Sequence, residues 1–384
     1  MSAVQTPIIP SIGQLIVDNP ETISLAQGVV HFSPPQLALD QAASFGSKLA
    51  DHQYGSVQGN IHLIKLLEDK LHRENGVDGD LSKRVIITAG ANMAFLNTLF
   101  AITDPGDEVI LPTPYYFNQE MAIKMVNCEP VLIRCDDNFQ IDSEKIRSAI
   151  TNKTRAVVTI SPNNPTGVVY PESVLRQINQ ICSEHNIYHI CDEAYEYFTY
   201  DQTEHFSSAS IAEAQGHTIS LYSLSKAYGF ASWRIGYMLI PKDLYMPVLK
   251  AQDTNLICAS LIAQQAAIGA LEAGVSYSRE NIALIDQTRK RIEKELATIK
   301  ELCSFPTPKG AFYFLIKVNT SLDSMTLVKR LIEEFKVAVL PGNAFGLMNA
   351  CYLRISYGAL DPDTAVTGIR RFTKGLTKIC HNQA

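Results

Sequence analysis

At 384 residues the chain exceeds what one hydrophobic core usually organises, so two domains, or one large domain with an appendage, are expected. Hydrophobic residues make up 46% and charged residues 19%, with mean hydropathy near zero, which fits a globular protein and excludes a disordered chain. The net charge of -6 is spread without a basic block, leaving no electrostatic footprint for nucleic acid or an anionic membrane surface.

Residues 1–17 lack the basic end and continuous apolar run of a secretory signal and are interrupted by Pro7 and Pro10. Pro and loop residues dominate up to about Phe45, so residues 1–45 are expected to serve as a subunit-crossing arm that joins a small domain. From Arg84 onwards short β-rich runs at 84–88, 108–111, 129–134, 155–161, 188–191, 218–223 and 234–240 alternate with helical patterns. That alternation implies βαβ units and a mostly parallel sheet. The runs around Val157 and Ile190 are apolar throughout, which implies strands covered by helices on both faces.

The apolar segment 256–271 contains Gln264 and Gln265 and falls short of the roughly 20 residues of a bilayer span, so it reads as one buried helix. The pattern then changes to a long charged helix at 277–302, an apolar strand at 310–315, a helix through Phe335 and short strands at 337–340 and 352–356. These imply an α/β large domain at 46–275 and a smaller α+β domain built from 1–45 and 276–384.

Eight cysteines without disulfide-framework spacing imply free thiols in a reducing cytoplasm. Cys182, His185, His189 and Cys191 resemble a set of zinc ligands, but the first two end a helical stretch and the last two sit in a strand pattern that alternates faces. No metal site is assigned.

Five polar features fall at predicted strand ends, where ligands of α/β sheets collect. Thr88-Ala89-Gly90-Ala91-Asn92 opens a helix with small residues suited to a phosphate, although a glycine at such a turn is often only structural. Ser161 to Gly167 is a turn rich in Asn, Pro and Gly, which ordinary turn chemistry explains, yet it can aim the Asn164 amide inward. Asp192 ends an apolar strand, either as a surface-loop acid or as a rim carboxylate in need of a partner. Ser223-Leu224-Ser225-Lys226, with Arg234 shortly after, places hydroxyls, an amine and a guanidinium among aromatic residues that can desolvate the lysine. Arg354, inside the apolar run Tyr352 to Ser356, needs an anion, and a carboxylate held by two hydrogen bonds is its best-matched partner.

Asn-Pro-Thr-Gly, Asp-x-x-Tyr, Ser-x-Ser-Lys with an arginine eight residues after the lysine, and a late Arg-Ile-Ser occur here in one order. Together they resemble class I/II pyridoxal-phosphate-dependent aminotransferases of fold type I, the aspartate aminotransferase superfamily, across nearly the whole chain. The resemblance implies that Lys226 carries pyridoxal 5′-phosphate (PLP) as a Schiff base and that Asp192 pairs with the cofactor's ring nitrogen. It assigns Asn164 and Tyr195 to the phenolic oxygen, and Gly90, Ala91, Asn92, Ser223, Ser225 and Arg234 to the phosphate. Tyr116 and Ala194 would cover the two ring faces, and Tyr54 would reach the phosphate of a partner subunit in a homodimer with shared sites. Arg354 would bind the substrate α-carboxylate opposite Gly28, with Asn164 also facing substrate.

The implied reaction moves an amino group between an L-amino acid and a 2-oxo acid, with Lys226 as proton carrier. The same scaffold also supports C–S lyases, and a non-catalytic binding or regulatory protein of this fold is a further alternative. Intact Lys226 and Asp192, without an added DNA-binding segment, argue against the last. Asn92 stands where one bacterial aspartate-specific branch has a lysine, which weakens an aspartate assignment. Residues 24–31 and 257–260 resemble instead a branch acting on aromatic amino acids and methionine.

Overall fold

Short runs rich in Val and Ile become strands because branched side chains pack well on a pleated, buried surface. The structure, a computed structural model, describes residues 1–381. Its strands are β1 (Ile23–Ser24), β2 (Val85–Thr88), β3 (Glu108–Thr113), β4 (Glu129–Arg134), β5 (Thr154–Ile160), β6 (Tyr188–Asp192) and β7 (Thr218–Ser223). They continue as β8 (Gly236–Leu239), β9 (Cys303–Ser304), β10 (Tyr313–Val318), β11 (Val337–Ala338), β12 (Leu340–Pro341) and β13 (Cys351–Ser356).

β2 to β8 form a seven-stranded sheet in the order β2-β8-β7-β6-β5-β3-β4. The pairings from β7 across to β4 are parallel, whereas β8 runs antiparallel to both β7 and β2. Alternation along β5 sends Ala156 and Val158 to one face, beneath helix Gly90–Ile102, and Val157 to the other, beneath helix Glu172–Glu184. Helices Ile61–Asn75 and Leu261–Ala273 cover the β2–β8–β7 end of that second face. Register then fixes the functional edge: Thr88 and Ser223 both pair with Gly236, and Ile160 pairs with Asp192. The carboxyl ends of β2, β5, β6 and β7 therefore meet the start of β8 along one rim.

A second sheet, β12-β13-β10-β9, packs with helices Val275–Leu296, Ser324–Phe335 and Pro362–His381 around its own apolar core. Arg354 sits mid-strand in β13, opposite Leu315 of β10 and Leu340 of β12. The N-terminal segment enters the same core through helix Ile8–Asp18 and the parallel pair β1–β11. Helix Gln36–Ala43 instead packs on helix Leu261–Ala273.

The structure corrects several expectations. The loop-rich arm also holds the two helices just named. The apolar segment 256–271 is not one helix: Ile257 adopts φ 69°, after helix Tyr245–Asn255, and a new helix begins at Leu261. The charged helix starts at Val275 and ends at Leu296, where Ala297–Ile299 tightens into a 3₁₀ turn. Residues 337–340 are two strands, because Val337–Ala338 pairs with β1 while Leu340–Pro341 turns to β13 in the other sheet. The run at 310–315 becomes a strand only from Tyr313, since Gly310 bridges to Thr199 and Ala311 takes φ 53°. Among the described residues no helix is long and apolar enough to cross a membrane.

Candidate active site

Strand β2 ends at Thr88, and Gly90 starts the helix beyond it with φ 78°, a conformation only glycine adopts freely. A side chain at Gly90 would collide with the Arg234 guanidinium, so the close approach of that cation to the helix N-terminus also depends on this glycine. Arg234 itself takes φ 52° just before β8 and is held by the carbonyls of Ala231, at 2.9 Å, and Ala89, at 3.4 Å. After β7 the Ser223 hydroxyl accepts from the Ser225 backbone at 3.1 Å, starting the short helix that presents Lys226.

Lys226 is half-buried, and its amine donates to the Gly28 carbonyl. Burial lowers its pKa to about 8, with Arg234 and Arg354 acting in the same direction and Asp192 opposing them. Asp192 is 7% exposed, and burial raises its carboxyl from 3.8 to about 6. Two donors hold that value down: the Ala194 backbone at 3.1 Å and Gln119 Nε2 at 3.0 Å.

The small sheet supplies the opposite wall. Arg354 is 2% exposed and donates through Nη1 to Asn164 Oδ1 at 2.9 Å and through Nη2 to the Ala26 carbonyl at 2.5 Å. Its Nε is buried without a hydrogen-bond partner. Asn164 also donates to the Tyr195 hydroxyl at 3.4 Å, and Tyr116, its hydroxyl held by Asn118 at 2.8 Å, closes the side.

The cavity so formed measures about 500 Å³ and brings together Gly28, Ala91, Asn92, Tyr116, Asn164, Asp192, Ala194, Tyr195, Ser223, Ser225, Lys226, Arg234 and Arg354. Gly90 lies behind Arg234 rather than on the lining. Tyr54 does not line the cavity of this chain and is 83% exposed. Residues that strand-end reasoning missed include Gln119 on Asp192 and Tyr313, whose hydroxyl lies 2.7 Å from that of Tyr195. The hydroxyl of Tyr313 within the otherwise apolar run Ala311 to Ile316 could have pointed to it, whereas no local pattern marks Gln119. His189 of the cysteine–histidine cluster is held in the core by Thr159 at 2.9 Å and Asn179 at 3.2 Å.

Three cations, Lys226, Arg234 and Arg354, line one cavity with a single carboxylate, Asp192, and this surplus of positive charge calls for anionic ligand groups. The helix N-terminus beside Arg234 suits a phosphate, the unpartnered Arg354 Nε suits a carboxylate, and Asp192 has room for a protonated nitrogen. PLP with an amino-acid substrate brings all of these groups, and its aldehyde matches an amine of lowered basicity. On this mixed, mostly parallel α/β scaffold the site defines a PLP-dependent transferase of fold type I.

The chain belongs to the class I and II aminotransferases, whose family profile matches residues 20–372. It is 31% identical over 386 residues to the aromatic aminotransferase ISS1 of Arabidopsis thaliana, covering 98% of this chain and 95% of that one. It is 33% identical over 372 residues to a probable aspartate/prephenate aminotransferase of Aquifex aeolicus, covering 94% and 92%. Among solved structures, a double mutant of Thermus thermophilus aspartate aminotransferase superposes with a TM-score of 0.89 at 29% identity, covering 97% and 98%. The protein is therefore a PLP-dependent aminotransferase that moves an amino group between an amino acid and a 2-oxo acid.

Proposed function

We propose that this aminotransferase acts on amino acids with uncharged, aromatic or thioether side chains, methionine included. The observation that carries this reading is the number of cations around the cavity. Arg354 answers the α-carboxylate, Arg234 the phosphate and Lys226 the reacting carbon, and among the described residues lining the cavity no further cation is left for a distal carboxylate. Asn92 is neutral, while Ile9, Val29, Phe117 and Tyr313 provide apolar wall. A panel of amino donors with 2-oxoglutarate and aromatic 2-oxo acids tests it, and a higher kcat/KM for aspartate than for phenylalanine and methionine overturns it.

The residue roles belong to the same proposal. Arg234, Ser223, Ser225 and the Gly90-Ala91-Asn92 helix start hold the phosphate, Tyr116 and Ala194 flank the ring, and Asp192 pairs with its nitrogen. When bound, PLP supplies an electron sink for the pair left by removal of the α-proton. Lys226 would tether the cofactor covalently, and as a free amine would take the α-proton at Nζ and deliver it to the cofactor's C4′ carbon, across the nitrogen being transferred. Arg354 fixes the α-carboxylate so that the α-proton faces Nζ, and Asn164 and Tyr195 hold the phenolic oxygen. Borohydride reduction and peptide mapping should find the cofactor on Lys226, and Lys226→Ala should end turnover while the protein stays folded; a label on another residue refutes the assignment.

A homodimer with composite sites accounts for Tyr54, which a single chain leaves exposed and away from its own cavity. A large domain at 46–275 and a small one from 1–45 and 276–384 follow the two sheets, with helix Gln36–Ala43 resting on the large one. Free cysteines throughout suit a reducing cytoplasm.

A further inference from the structure

Side chains from four separate stretches close a ring beside the cavity. Arg354 Nη1 donates to Asn164 Oδ1 at 2.9 Å, and Asn164 Nδ2 donates to the Tyr195 hydroxyl at 3.4 Å. Tyr195 and Tyr313 share a hydroxyl–hydroxyl hydrogen bond of 2.7 Å in which either atom can be the donor. The Arg354 guanidinium completes the ring, 4.5 Å from the centre of the Tyr313 aromatic ring.

Proton counting narrows the options. A guanidinium only donates, so Asn164 must turn its oxygen to Arg354 and its NH₂ to Tyr195. The Tyr195 oxygen thus already receives one hydrogen bond. Burial keeps both phenols protonated at neutral pH, raising Tyr313 to about 12 and Tyr195 well above its ordinary value. A neutral phenol carries one proton and two acceptor positions. If Tyr313 donates, both positions on Tyr195 are filled, and its own proton is left to point into the cavity it lines. If Tyr195 donates, that proton is spent on Tyr313. A side chain at residue 28 would collide with the Tyr313 hydroxyl, so Gly28 is what lets this phenol reach Tyr195.

We propose that Tyr313 is a positioning residue with two separable parts: its hydroxyl donates to Tyr195 and commits the Tyr195 proton to the cavity, and its ring steadies Arg354 for the substrate carboxylate. This rests on the roles proposed above for Tyr195 and Arg354. A donor to the cofactor's phenolic oxygen favours the deprotonated form of the bound cofactor, so the midpoint of its absorbance pH titration reports on the Tyr195 proton. Neighbouring hydrogen bonds polarise one another, and Tyr195 donates better while Tyr313 donates to it.

The experiment is the spectrophotometric pH titration of holoenzyme for wild type, Tyr313→Phe and Tyr195→Phe. Tyr313→Phe should move the midpoint up, less far than Tyr195→Phe does. A midpoint that is unmoved or moves down in Tyr313→Phe overturns the proposal, since a downward move means that Tyr195 had been donating to Tyr313. If Tyr195→Phe leaves the midpoint unmoved, the assigned role of Tyr195 is what fails, and the proposal falls with it. For the ring, binding of 3-phenylpropionate to holoenzyme should be retained in Tyr313→Phe and weakened about 30-fold in Tyr313→Leu, the scale of one desolvated cation–π contact. Equal loss in both variants refutes the ring's part. Tyr313→Phe keeps the ring and its volume, so the first test stands even if the Leu variant folds poorly.

Discussion

Replacing Asp192 by asparagine gives a prediction whose size follows from the site. Burial raises this carboxyl from 3.8 to about 6, which corresponds to about 3 kcal/mol between its two protonation states. Because the folded pKa lies above the unfolded one, the contribution to stability is fully present below about pH 3.8 and is lost as pH rises through about 6. On the proposed pairing with the ring nitrogen, the apo-protein at neutral pH holds a costly carboxylate whose compensating cation comes with the cofactor. The amide introduced by Asp192→Asn would not titrate. It could keep its neighbours, accepting from the Ala194 backbone and donating to Gln119, whose Oε1 is buried without a partner and could rotate to receive it. Urea unfolding of the two apo-proteins across pH 4 to 8 should show the variant gaining on wild type by about 2 kcal/mol, most of it below pH 6, and levelling off by about pH 7. Taking the difference removes contributions common to both proteins, and it does not require knowing the pH-independent effect of the substitution. In the holoenzyme the same change should lower kcat with little effect on KM, since the carboxylate acts where charge develops on the ring. Parallel stability curves, or a difference that shrinks as pH rises, would refute the buried-carboxylate argument.

Three further outcomes are expected. The rate at which apo-protein captures PLP should rise with pH and level off above about 8, because the neutral form of Lys226 is the nucleophile; a capture rate independent of pH across that range contradicts its lowered basicity. Arg354→Ala should weaken every amino and oxo acid by about 2–5 kcal/mol, the usual cost of removing one partner of a buried charged pair, and a loss confined to one acidic substrate would make Arg354 a side-chain selector instead. Mixing inactive Tyr54→Ala and Lys226→Ala chains should restore activity after subunit exchange, because one site of the heterodimer is then free of both lesions. Exchange without recovery shows that Tyr54 works within its own chain.

Much of the large-sheet wall of the cavity was readable from local pattern. Asp192, Ser223, Lys226 and Gly90 stand where an apolar strand run stops and a turn or helix begins, and strand ends are local events set by side-chain period and turn chemistry. The expected strands 129–134 and 218–223 match β4 and β7 for the same reason. Tertiary structure decided the rest. Nothing near Arg354 indicates that its guanidinium will reach Asn164, 190 residues away, or that it will lie over the Tyr313 ring; the first depends on β13 meeting the rim of the other sheet, the second on β13 pairing with β10. The break at Ile257 and the split between β11 and β12 were equally hidden, since an apolar run has the same composition whether it stays in one element or crosses between two. Local sequence determines which residues end strands and carry reactive groups. Their hydrogen-bond partners and pKa values depend on burial and side-chain direction, and both exist only once the helices and the two sheets have packed together.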